Sequence, residues 1–118
     1  MQGITIDIDN HPKNQDITLL SVKGYIDTIT APMLDKKLQS ALTNKKFKLI
    51  IDLKDVNYIS SAGWGLFISE LKRIRNKKGD LVLAGMKPEV FEIFNLLEFH
   101  KIIKLFPNVE SAVKNGFG

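Results

Sequence analysis

The 118-residue chain contains no cysteine. This excludes a disulfide framework, a thiolate nucleophile and thiolate metal ligation, and it is compatible with a reducing cytoplasm. Long apolar runs are missing as well, none approaching the ~20 consecutive residues that cross a bilayer. Met1-Gln2-Gly3 runs straight into a strand-like pattern without the basic region and apolar core of a signal peptide. The expectation is a soluble, cytoplasmic protein. The two histidines, His11 and His100, are far apart and outside any HxxxH or HExxH spacing, so no metal site is expected. There is no GxxxxGK(S/T) loop and no GxGxxG, and Ser60-Ser61 does not sit in a GxSxG elbow. Gly63-Trp64-Gly65 lacks the third glycine and the acidic follower of a dinucleotide fingerprint. Without a catalytic constellation, the chain reads as a non-enzyme with no cofactor.

Hydrophobic residues make up 44% of the chain, enough for one core, and the length suits a single domain over 1–118 with an ordered part from about 4 to 113. Seventeen basic residues against thirteen acidic ones give a net charge of +4. Many of the basic residues, Lys45, Lys46, Lys48, Lys72, Arg73, Arg75, Lys77 and Lys78, fall at expected element ends or on exposed helix faces. No aromatic residues are interleaved with them to stack bases, so a solvated basic surface is expected rather than a nucleic-acid footprint.

In chain order, Ile4, Ile6 and Ile8 alternate with polar residues as in a half-buried strand. A turn over residues 10–15 leads to a second strand, Ile17 to Val22, antiparallel to the first and ended by Gly24. Pro32 suits the first turn of a helix whose buried stripe is Leu34, Leu38, Ala41 and Leu42, with Lys45-Lys46 near its end. Lys48 to Leu53 reads as a central strand, joined in parallel by a right-handed crossover. A second helix buries Gly63, Phe67, Leu71 and Ile74 and stops at Gly79, and Leu81 to Ala84 is a further buried strand. A third helix starts at Pro88 and is striped by Val90, Ile93, Phe94 and Leu97. Ile102, Ile103, Leu105 and Phe106 suggest an edge strand, and Asn108 caps a short last helix before a frayed tail over 115–118. The fold class is α/β, a small mixed sheet of about five strands with about four helices, the longer ones mainly on one face.

The stretch from Lys48 to Arg75 organises the rest, because a buried strand there gives way abruptly to Ser60, Ser61, Ala62, Gly63, Trp64 and Gly65 at a helix start. Ser60 or Ser61 is expected to be the N-cap, its hydroxyl on orphan backbone N–H groups. A hydroxyl there stands at the positive end of the helix dipole, with Gly63 and Gly65 keeping nearby bulk low, and is placed to be contacted or modified. Trp64 suits either ordinary core or partner contact. Asp27, Asp52 and Asp55 lie at or beyond expected strand ends on the side of Ser61 and could approach it, although Asp52 and Asp55 are better suited to accept hydrogen bonds that satisfy their loop. Asp27 is equally suited to turning the loop before the first helix.

The run Asp52-Leu53-Lys54-Asp55-Val56-Asn57-Tyr58-Ile59-Ser60-Ser61-Ala62-Gly63-Trp64-Gly65 resembles the signature of the STAS domain of bacterial anti-sigma factor antagonists. Gly24-Tyr25-Ile26-Asp27 before a helix, and Asp80 to Ala84 before the Pro88 helix, fit the same pattern in the same order, so the resemblance covers about Ile4 to Val113. It implies a partner-switching module, not an enzyme, in which a serine after the central strand is phosphorylated. That position falls on Ser61, with Ser60 as the less favoured acceptor. The partners it implies are a GHKL-type serine kinase that is also an anti-sigma factor and a PP2C-type phosphatase. The partner-binding surface is expected to comprise Asp27, Thr28, Thr30, Ser60, Ser61, Ala62, Gly63 and Trp64. The chain departs from the family pattern at Ser60, Ala62 and Trp64, where an aspartate, a second hydroxyl residue and an aliphatic residue are usual. The alternative is a STAS scaffold or transporter-associated subunit that is not phosphorylated.

Overall fold

A computed structural model describes residues 3–14 and 16–117. Met1, Gln2 and Gly118, on which the readings of the N-terminal segment and the tail partly fall, lie outside the described residues, as does Gln15 in the first turn. Ile4–Asn10 forms β1, an edge strand whose Ile4 and Ile6 are half-buried against the main core. It pairs antiparallel with β2 (Thr18–Ile26). Then follow α1 (Ala31–Thr43), β3 (Lys48–Ile59), α2 (Ser61–Asn76), β4 (Asp80–Ala84), α3 (Pro88–Leu96), a single 3-10 turn (Phe99–Lys101), β5 (Leu105–Phe106) and α4 (Val109–Asn115).

The sheet order is β1-β2-β3-β4-β5, and every neighbouring pair after the first is parallel. Parallel strands laid side by side in chain order, each joined by a right-handed crossover, place every connecting helix on one face. Accordingly Leu34 and Leu38 of α1, Phe67, Leu71 and Ile74 of α2, and Val90 and Phe94 of α3 share one core with Leu49, Ile51 and Leu53 of β3. The short α4 covers the other face, where Ala112 meets Ile17, Ile50, Val82 and Ala84. With both faces covered, β3 and β4 carry the continuous apolar runs seen in the sequence.

Four expectations are corrected. Gly24 does not end β2. The strand continues through it to Ile26 at φ +108°, where a Cβ would sit 2.2 Å from the Gly3 carbonyl oxygen. The central strand is twelve residues long instead of ending at Leu53, because β2 continues alongside it across two irregularities in register. The last strand is only Leu105–Phe106, since Ile103 turns into the core and Ile102 stays exposed. Finally, Lys45 and Lys78 take the left-handed conformation after α1 and α2, at φ 60° and 64°, whereas Gly79 is required for a different reason. A Cβ on Gly79 would come 1.9 Å from the Phe47 carbonyl oxygen.

Candidate functional site

The carboxyl ends of β2 and β3 meet in a hydrogen bond from the Ser60 N–H to the Ile26 carbonyl, 2.8 Å. This bond brings the loop after Ile26 beside the start of α2. The loop is closed by a reciprocal pair. Asp27 Oδ1 accepts from the Thr30 N–H at 2.9 Å, and Thr30 Oγ1 accepts from the Asp27 N–H at 2.9 Å, in the manner of a capping box. The Ile29 N–H also donates to Asp27 Oδ1 at 2.9 Å, and Thr30 Oγ1 donates to the Tyr25 carbonyl at 2.7 Å. The Thr30 N–H above all, helped by the Ile29 N–H and the Thr30 hydroxyl and opposed by partial burial, holds the Asp27 carboxyl below its ordinary value of 3.8. Asp27 is thus an ionised group built into the loop.

The two serines divide their work. Ser60 is the N-cap, extended at φ −81° and ψ 174°, and its hydroxyl accepts from the Gly63 N–H at 3.4 Å while its carbonyl accepts from the Trp64 N–H at 3.1 Å. Ser61 is the first helical residue and is exposed, and its hydroxyl has no hydrogen-bond partner among the described residues. A helix leaves its first N–H groups without intrahelical acceptors. The Ser60 hydroxyl takes that of Gly63, and the Trp64 N–H makes the helix's first backbone bond to the Ser60 carbonyl, leaving the N–H groups of Ser61 and Ala62. An anion on Ser61 would therefore meet the positive end of a sixteen-residue helix.

The surface next to Ser61 is low. One turn beyond Ser61, exposed Gly65 has open space where a Cβ would be. At the same end of the sheet Ile29, Met33 and Tyr58 are 81%, 52% and 51% exposed, and Thr28 is exposed beside them.

Comparison with known proteins places the chain in a family. The STAS domain model matches residues 10–112. The chain belongs to the STAS domain family. An anti-sigma-B factor antagonist of Listeria monocytogenes is 32% identical over 110 residues, covering 93% of this chain and 96% of the relative. An anti-sigma-B factor antagonist of Bacillus subtilis is 30% identical over 111 residues, covering 94% and 100%. Among solved structures, an anti-sigma factor antagonist from Mycobacterium paratuberculosis superposes with a TM-score of 0.83 at 23% identity, over 94% of this chain and 92% of that one.

In this STAS domain the expected site is only partly assembled at one surface. Asp27, Thr28, Ser60, Ser61 and Ala62 come together around the start of α2 with some exposure. Thr30, Gly63 and Trp64 are corrected as partner-contact residues, since all three are buried. Thr30 is consumed by the loop. A Cβ on Gly63 would meet Ile26 Cγ2 at 2.6 Å and Ile59 Cγ2 at 2.8 Å, so glycine here seats α2 against the strand ends. Trp64, 4% exposed, packs against Phe99, Phe94 and Phe67 with ring centroids 5.0, 5.8 and 6.3 Å away.

Asp52 and Asp55 do not approach Ser61. Both lie within β3, nine and six positions before the serine, and at about 3.3 Å per residue that keeps them well away from it. Asp52 instead accepts from the Lys54 N–H on the α4 side of the sheet. Sequence reasoning passed over Ile29, Met33 and Tyr58. The signal available was that each falls at the end of an element, where no apolar stripe required it. Among the described residues no group of three or more His, Asp or Glu side chains is arranged to hold a metal, and no helix is long and apolar enough to cross a membrane.

Proposed function

We propose that this STAS domain is an anti-sigma factor antagonist, a binding module that frees a sigma factor by occupying its inhibitor and is switched off by phosphorylation of Ser61. The observation that carries the reading is the unbonded, exposed hydroxyl of Ser61 on the first residue of α2, next to a Ser60 that already does the capping. The names of the Listeria and Bacillus relatives support the same role. In this reading the inhibitor docks on the low surface of Ser61 and Gly65, with Ile29, Met33 and Tyr58 supplying apolar area and Asp27 and Thr28 a polar rim.

The switch follows from charge. A phosphate adds about −1.5 to −2 charges and three strong acceptors. The dipole of α2 and the free N–H groups of Ser61 and Ala62 accommodate it, so the fold survives. A partner that covers the bare hydroxyl would instead bury a large anion beside ionised Asp27, and the complex is lost. The kinase is of GHKL type and is itself the anti-sigma factor, and a PP2C-type phosphatase restores the hydroxyl.

Calorimetric titration of the cognate anti-sigma factor into wild type and Ser61→Asp tests this. Wild type binds, and Ser61→Asp loses about 30-fold or more in affinity, the scale of about 2 kcal/mol for an uncompensated charge in an interface. Equal affinities contradict the proposed switch. They would favour a STAS subunit that docks without phosphorylation, a reading that the departures at Ser60 and Ala62 support.

A further inference from the structure

At the amino ends of the parallel strands, the opposite pole from Ser61, the chain concentrates positive charge. α1 and α2 both finish here, and the loops that follow them are clamped together by the Asp80 N–H to Phe47 carbonyl hydrogen bond, 2.9 Å, and by the close approach of Gly79 to the same carbonyl. Between them is a groove of about 490 Å³ lined by Leu42, Thr43, Lys45, Phe47, Arg73 and Lys77. Its floor is apolar, from Leu42 and Phe47, and its rim is cationic.

Two observations argue that the charge is more than decoration. First, its amount exceeds what the helix ends require. Two helix C-termini present about −0.5 each. Lys45, Lys46, Lys48, Lys77 and Lys78 all stand at this pole without an ion pair among the described residues, and nearby Glu70 and Asp80 are taken by Arg73, Arg75 and Lys104, leaving Asp9, across a hollow from Lys46, as a further carboxylate at this end. Second, Lys45, which lines the groove, occupies a left-handed position, φ 60°. Glycine is the least strained residue at such helix ends. A lysine there is more strained than a glycine would be and places a charge on the groove's rim.

We infer that this groove is a docking site for an acidic segment of a protein partner, an extended peptide that places an apolar side chain between carboxylates. The apolar side chain fills the floor and the carboxylates meet Lys45, Lys77 and the outer edge of Arg73. A concave floor does not suit a flat bilayer, and a duplex backbone offers nothing apolar to fill it. The length of β3, on the order of 30 Å, separates the groove from Ser61, so the two surfaces can be occupied together.

The test is fluorescence anisotropy of the full chain with a labelled peptide carrying Leu-Phe between runs of Asp and Glu. A matched peptide with Ser-Ser at the centre, duplex DNA and phosphatidylserine vesicles serve as competing probes. The Leu-Phe peptide is expected to bind about tenfold more tightly than the Ser-Ser peptide, and more tightly than DNA or vesicles bind. Lys77→Glu should weaken it about tenfold, and Lys45→Gly should weaken it severalfold while raising the melting temperature, which separates lost binding from lost fold. Charge reversal at Lys36 and Lys37, exposed on α1 outside the groove, and Ser61→Asp should leave it unchanged. No binding of the Leu-Phe peptide overturns the inference. So does equal binding of the two peptides, a preference for DNA or vesicles, or equal loss in the Lys36 and Lys37 variants.

Discussion

Adjacent serines with one type of side chain take different roles because one precedes the helix and the other begins it. Ser60 spends its hydroxyl on the Gly63 N–H, and Ser61 leaves its own to solvent. Replacing Ser60 with Ala should cost about 1 kcal/mol in urea unfolding, whereas Ser61→Ala should stay within about 0.5 kcal/mol of wild type. The loop of Asp27 and Thr30 invites two further measurements. Thr30→Ala removes a buried hydroxyl that serves both the Asp27 N–H and the Tyr25 carbonyl, and should lower stability by about 1–2 kcal/mol. Because the pKa of Asp27 is lowered on folding, its contribution is present above 3.8 and is lost as pH falls through the folded value, which lies below 3.8. In an NMR titration the Thr30 amide should follow the Asp27 carboxyl with a midpoint under 3.8. A midpoint at or above 3.8 would count against the bonded loop.

At the scale of elements, α2 carries the site because its two glycines do opposite things. Gly63→Ala forces a methyl against Ile26 and Ile59 and should destabilise by about 1–3 kcal/mol. Gly65→Ala meets open space, so it should stabilise by about 0.5–1 kcal/mol while weakening partner docking, a split readable by pairing urea unfolding with the calorimetric titration. The apolar stripes made α1, α2 and the start of α3 legible in the sequence, as did the β-branched run of β3 and the alternation of β1. Less legible was what depends on neighbours. β3 runs on past Leu53 through Lys54, Asp55 and Asn57 because β2 pairs with it, which no local pattern announces. Burial of Trp64 was left open by its place on the first turn of α2, and the 3-10 turn that brings Phe99 over it decided the matter.

For the molecule as a whole, the parallel strands give the domain two unlike ends. One gathers Ser61, Asp27 and exposed apolar side chains where the carboxyl ends of β2 and β3 meet. The other gathers the lysines that follow α1 and α2. The chain order of elements and the serine position were readable from sequence because the STAS signature spans both, but the pole of lysines needed the fold to bring residues 45–48 and 77–78 together. Control by phosphorylation requires Ser61 to be the reachable hydroxyl, and intact mass spectrometry after incubation with the cognate kinase and ATP measures this. One added phosphate is expected on wild type, mapped to Ser61 and absent from Ser61→Ala. An unmodified wild-type chain, or equal labelling of Ser61→Ala, would contradict it.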